Sequence, residues 1–231
     1  MDITNKEIKN IIKDALGLDD SKEIVQESFS AKANTFNLST EMLSLRNKQN
    51  HVELYAEYVD SFNRISAELD AADRLSANSR ASSYRSLKID ETFNMNAIYL
   101  HEKYFENISD VNSEIAMDSI SFMRLQRDFG TFDDWQKDFV ACALSSRSGW
   151  AITAYNTYLR SYVNCFVDGH SNNMPAGCIP VIVMDVWQHA YYRDYLKDVK
   201  TYTYAMMKEI DWEVVEKRFR QTDQISRILE T

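Results

Sequence analysis

Only 5 glycines and 2 prolines interrupt 231 residues, and a chain with so few breakers is expected to fold into long helices. From Ser39 the apolar and aromatic residues Leu43, His51, Tyr55, Tyr58, Phe62 and Ile65 recur at helical spacing, which predicts one long helix with Ser39-Thr40-Glu41 as its cap. The Ser- and Arg-rich stretch from Ser76 to Arg85 breaks the pattern, and a second helix is expected over about Glu91 to Ile108. Two long helices joined by a loop predict an antiparallel hairpin. Ahead of them, residues 1–37 read as a helical arm with Ile8, Ile11, Ile12 and Leu16 on one stripe, Ser21 capping a later turn.

The second half changes character. Helical patterning runs from Ile115 to Ser146, after which Trp150 to Val167 is rich in Tyr, Thr, Val and Phe with a polar break at Asn156-Thr157. That predicts a β-hairpin ending at Asp168-Gly169. Pro180 to Met184 reads as a short buried strand, followed by a helix over Val186 to Val199 and a closing helix over Asp211 to Leu229. The expectation is an α+β fold: a helical arm (1–37), a helical hairpin (38–110), and a C-terminal mixed α/β domain with a small antiparallel sheet (111–231).

Composition narrows the function classes. A net charge of −9 argues against nucleic acid, whose phosphates call for a basic surface. No apolar run approaches the about 20 residues that span a bilayer, and the first residues carry no apolar secretion signal. The three cysteines, Cys142, Cys165 and Cys178, have no CxxC spacing. They are expected to be buried free thiols in a reducing, cytoplasmic setting.

The densest chemical signal is Asp185-Val186-Trp187-Gln188-His189-Ala190-Tyr191-Tyr192-Arg193-Asp194-Tyr195. An Asp at a strand end and a His four residues later, in the first helical turn, can both face one ion. The block resembles the C-terminal signature of the iron/manganese superoxide dismutase family, differing chiefly at Gln188, where that family has Glu. Phe129-Gly130-Thr131-Phe132, Trp135, Phe139, Ser148-Gly149-Trp150, Pro180 and Trp212 follow the family pattern in order and spacing. Asn96 to Phe105, with His101 and an aromatic four residues on, is similar to the helix carrying the second ligand. The resemblance spans about residues 38 to 220.

It implies a site of His51, His101, Asp185 and His189 around one iron or manganese ion per chain. It further implies superoxide as substrate, Tyr58 as a gateway residue that relays protons, and His170 bonding to the solvent beside the metal. Phe105, Trp150 and Trp187 would wall the site. A homodimer or larger assembly is expected, although Gln188 weakens one family contact across the dimer. At the first ligand the spacing slips: anchoring on Tyr58-Val59 puts the ligand position on Asn50, one residue before His51. Two readings of that corner stand, His51 as ligand or His51 as an ordinary helix residue in a decayed site. The corresponding alternative function is a structural or assembly protein, a virion component included, that reuses the fold with a reduced site.

Overall fold

Ser44 begins the first helix, its hydroxyl accepting from the Asn47 amide, a bond that satisfies one of the otherwise unpaired donors of the first turn. The computed structural model describes residues 31–108 and 113–229. Helix α1 (Leu45–Asp70) buries Asn47, His51, Tyr55, Val59, Phe62, Ile65 and Leu69, a stripe stepping by three or four residues as one helix face requires. Helix α2 (Ser83–Asn107) is capped by Ser82 and buries Ala97, His101, Tyr104 and Phe105 toward α1. The pairings His51–Phe105, Tyr55–Glu102 and Tyr58–Phe93 run in opposite senses along the chain, so the hairpin is antiparallel.

Both helix starts differ from the sequence reading. Ser39-Thr40-Glu41 is not a cap: Thr40 accepts from the Met42 amide, and the Leu38 and Thr40 carbonyls take the Lys48 ammonium. The second helix starts at Ser83, well before Glu91, because the Ser-rich break itself holds the cap at Ser82. Residues 31–37, expected to be helical, have no regular structure. They lie along the hairpin instead. Asn63 grips the Ala31 backbone through both its amide atoms, the Asn34 amide donates to the Tyr55 hydroxyl, and the Phe36 ring packs 5.1 Å from Phe105. Residues 1–30, with Ile8, Ile11, Ile12, Leu16 and Ser21, lie outside the described residues.

The helical stretch expected from Ile115 to Ser146 is two helices, α3 (Ile120–Phe129) and α4 (Phe132–Ser145). Gly130 ends the first at φ +89°, a conformation costly to any residue with a Cβ, and Thr131 caps the second. Strands β1 (Gly149–Asn156), β2 (Ser161–Asp168) and β3 (Cys178–Asp185) form one antiparallel sheet in the order β2-β1-β3. Gly149 lies so close to β2 that a Cβ there would sit 1.8 Å from the Val167 carbonyl oxygen. The β1–β3 register slips between Thr153 and Ala154, opposite Ile182 and Pro180, a bulge that accommodates a proline with no N–H to give.

Helix α5 (Gln188–Tyr195) is shorter than the Val186–Val199 reading, stopping at Leu196 with φ +52°. A helix that the sequence reading missed, α6 (Val199–Lys208), starts on the Asp198 cap, and α7 (Trp212–Ile228) starts on Asp211. The described residues thus hold seven helices and a three-stranded sheet, the α+β arrangement expected. Their shared core includes Tyr104, Phe105, Trp135, Phe139, Trp150, Tyr202 and Phe219. The three cysteines are free thiols, half-buried where full burial was expected. No helix among the described residues is long and apolar enough to cross a membrane.

Candidate metal centre

Four elements deliver one donor each to a single point. His51 comes from the second turn of α1, His101 from α2, Asp185 from the last residue of β3, and His189 from the first turn of α5. Their ligand atoms all lie within 4.8 Å of one another. Asp185 Oδ2 stands 3.1 Å from His51 Nε2, 3.2 Å from His189 Nε2 and 3.6 Å from His101 Nε2. Donors about 2.0–2.2 Å from a shared first-row ion, set 90–120° apart, would be separated by about 3.0–3.6 Å, so the spacing suits such an ion.

Protonation strengthens the fit. The His101 Nδ1–H donates to the Ala97 carbonyl at 2.7 Å. A carbonyl only accepts, so the neutral ring must carry its hydrogen on Nδ1 and a bare lone pair on Nε2. That Nε2 is buried and has no hydrogen-bond partner, yet it faces a carboxylate 3.6 Å away. A lone pair held against an anion with no proton between them is unfavourable unless a cation joins them. Burial lowers the pKa of His51 and pushes that of His101 well below the ordinary imidazole value. Burial alone would raise Asp185, but His189 and His51 beside it hold its carboxyl well below the usual range. Neutral imidazoles around an ionised carboxylate are the donor set that iron and manganese accept.

The one-residue slip at His51 vanishes in three dimensions. His51 and Tyr58 are seven residues apart on an unbroken α-helix, about two full turns and only about 20° out of line. The His51 side chain is buried and enters the donor set, while Asn50 is exposed; both border an outer cleft of about 550 Å³ with Asn47, Gln188, Tyr192, Arg193 and Leu196. His189 reaches this cleft too, with a quarter of its side chain exposed.

Beside the donors sit the other two expected residues. His170 is buried, its Nε2 3.2 Å from the Tyr58 hydroxyl and its Nδ1 3.0 Å from the Trp150 indole nitrogen. Burial pushes the His170 pKa down to about 4 and, with Asp185 and Glu57 adding to it, the Tyr58 pKa up to about 12.

The chain is similar to known proteins. The C-terminal domain of iron/manganese superoxide dismutases matches residues 120–218. The superoxide dismutase [Fe] of Aquifex aeolicus is 35% identical over 170 residues, covering 72% of this chain and 79% of that protein. The superoxide dismutase [Mn] 1 of Halobacterium salinarum is 30% identical over 71% of this chain and 80% of its own length. The superoxide dismutase [Fe] of Cupriavidus metallidurans is 32% identical over 71% and 82% respectively. This chain belongs to the iron/manganese superoxide dismutase family.

In this dismutase-family chain the aromatic residues named from sequence do surround the donors. The Phe105 ring lies 4.9 Å from His51, Trp150 4.9 Å from His101, and Trp187 stacks on His189 at 5.7 Å. Sequence reasoning missed the groups that aim the donors. The Trp187 amide donates to Asp185 Oδ1 at 2.8 Å, which turns Oδ2 toward the histidines. Tyr202 donates to the Asp185 carbonyl at 2.7 Å and is itself 2.9 Å from the Tyr104 hydroxyl. Asn96 holds the His170 carbonyl at 2.9 Å. No spacing signal marks these residues, since each acts on a partner distant in the chain or through its backbone. Tyr202 sits moreover in the helix that was missed.

Proposed function

We propose that this chain is a superoxide dismutase working at one iron or manganese ion, held by His51, His101, Asp185 and His189 where the helical hairpin (38–110) meets the C-terminal unit (111–231). The observation that supports this most is the convergence of four buried or half-buried donors around the partnerless Nε2 of His101. When bound, the ion supplies the one-electron exchange by which two superoxide anions and two protons become one dioxygen and one hydrogen peroxide.

The residues of the chain do the rest. The Ala97 carbonyl keeps the His101 hydrogen on Nδ1 and so keeps Nε2 open for coordination. Asp185 supplies the negative charge that makes three imidazoles a site for a cation. Tyr58 is the partly exposed edge of the constellation and, with His170, stands where protons and a small anion would enter. Phe105, Trp150 and Trp187 limit water around the donors, which strengthens every charge interaction inside. A homodimer or larger assembly, with the cleft around Gln188 and His189 as its contact, and a cytoplasmic location complete this reading. The scaffold alternative anticipated a reduced site and has no support in a donor set with all four members present.

The test is metal analysis of the purified full chain together with pulse radiolysis of superoxide decay. One iron or manganese per chain and catalytic decay are expected, and His51→Ala should lose most of the metal because three ligands leave an open, hydrated site. A metal-loaded chain that does not accelerate superoxide decay would refute the proposal.

A further inference from the structure

We propose that an apolar groove between α1 and α2 is the seat of the residues just ahead of Ala31 in the same chain, with Phe29 as the side chain that fills it. The proposal is independent of the dismutase reading.

The groove holds about 610 Å³ and is lined by Phe62 of α1, by Met95, Ile98, Tyr99 and Glu102 of α2, and by Ala31 and Lys32. Met95 is 49% exposed and Tyr99 39%, large apolar surfaces that gain by leaving water. Position decides what covers them. From Phe36 back to Ala31, the contacts of residues 31–37 step from Tyr55 to Asn63 along α1 and from Phe105 to Glu102 along α2. Phe62 adjoins Asn63 in α1, and Tyr99, Ile98 and Met95 continue the line along α2. The groove therefore prolongs the track these residues already follow, and Ala31, the first described residue, is part of its lining.

Ala31 is held by both its backbone groups: its amide donates to the Asn63 side chain and its carbonyl accepts from it. These two bonds fix where the chain meets the groove. Two residues span at most about 7 Å, so Phe29 cannot leave the neighbourhood. Of the five residues before Ala31, Gln26-Glu27-Ser28-Phe29-Ser30, it is the only apolar one. A side chain tethered this closely acts at a high effective concentration, which favours it over a second copy or a separate apolar partner. Phe36 already uses the same device, its ring 5.7 Å from Tyr55 and 5.1 Å from Phe105. A seated Phe29 anchors the start of residues 31–37, whose Phe36 backs Phe105 behind His51.

Photo-crosslinking of the purified full chain, with p-benzoylphenylalanine in place of Phe29, reads the seat directly. Peptide mass spectrometry should place the adducts on Met95, Ile98 or Tyr99, in material that runs as one chain on a denaturing gel. The same adducts in material that runs as two chains would give the groove to a second copy and overturn the proposal. Adducts on another face, or none, would overturn it too. Thermal unfolding supplies a measurement with a natural side chain. Phe29→Ala should lower the melting temperature by about 3–12 °C, the loss expected for exposing one buried phenyl ring in a chain of this size. A melting temperature equal to that of the unaltered chain would count against a seated ring.

Discussion

Tyr202→Phe removes one oxygen from the interior, and the structure states what it leaves behind. Tyr202 is fully buried, and since the Asp185 carbonyl can only accept, Tyr202 spends its hydrogen there at 2.7 Å. The Tyr104 hydroxyl, 2.9 Å away and also buried, must then donate to Tyr202. Deleting the Tyr202 hydroxyl strands two groups, the Asp185 carbonyl and the Tyr104 O–H. At about 1–2 kcal/mol for each unsatisfied buried group, the expected loss is about 2–4 kcal/mol. Tyr104→Phe alone leaves the Asp185 bond in place and should cost about 1 kcal/mol. In the double variant only the carbonyl is stranded, at about 1–2 kcal/mol, so it should be no less stable than Tyr202→Phe, with a coupling of about 2–3 kcal/mol. Urea unfolding of the metal-free chain followed by circular dichroism measures this. With a slope of about 2–3 kcal/mol per molar urea, Tyr202→Phe should move the midpoint down by about 1 M. A loss under about 0.5 kcal/mol, or strict additivity in the double variant, would show that this pair does not hold the strand end that carries Asp185.

Gly149→Ala places a methyl 1.8 Å from the Val167 carbonyl oxygen, so β1 and β2 must part at that point. The loss should exceed about 4 kcal/mol and appear as insoluble protein or a collapsed melting temperature; a melting temperature near that of the unaltered chain would contradict this. Acid should also weaken the metal-free fold. Burial lowers His170 from 6.5 to about 4 and depresses His51 and His101 as well, so the folded state favours their neutral forms. That stability is fully present above pH 6.5 and is lost as pH falls toward 4, because only the unfolded chain takes up protons in that window. For His170 alone the shift corresponds to about 3 kcal/mol. Below the ordinary carboxyl range, Asp185 acts in the same direction, since its depressed pKa makes protonation favour unfolding. Urea midpoints that stay constant from pH 7.5 to 4.5 would refute the assignment of neutral buried imidazoles.

The sequence alone determined that this chain is a helical hairpin followed by a unit with a small antiparallel sheet, and it named the residues that meet at the candidate metal centre. Scarce glycine and proline, apolar spacing and the Asp185–Tyr195 block are local signals, readable within a turn or a strand. The β-hairpin over 149–168 was legible for the same reason, since β-branched and aromatic residues flank a polar turn. What was not legible depended on partners far away in the chain. The helix start at Ser44 rather than Ser39 follows from Lys48 claiming the Leu38 and Thr40 carbonyls, and from Asp194 accepting the Ser44 amide across 150 residues. Helix α6 has no strong local signature, and it is held by Tyr202 reaching Asp185 and Tyr104. Counting back from Tyr58 pointed to Asn50, whereas the helical stripe of His51, Tyr55 and Tyr58 pointed to His51; in the fold His51 is buried 3.1 Å from Asp185 and Asn50 is exposed. The hydrogen on His101 is set in the same way. The Ala97 carbonyl fixes it on Nδ1 only where folding brings the two within bonding distance, and a hydrogen-bond direction exists only once both its ends are in place.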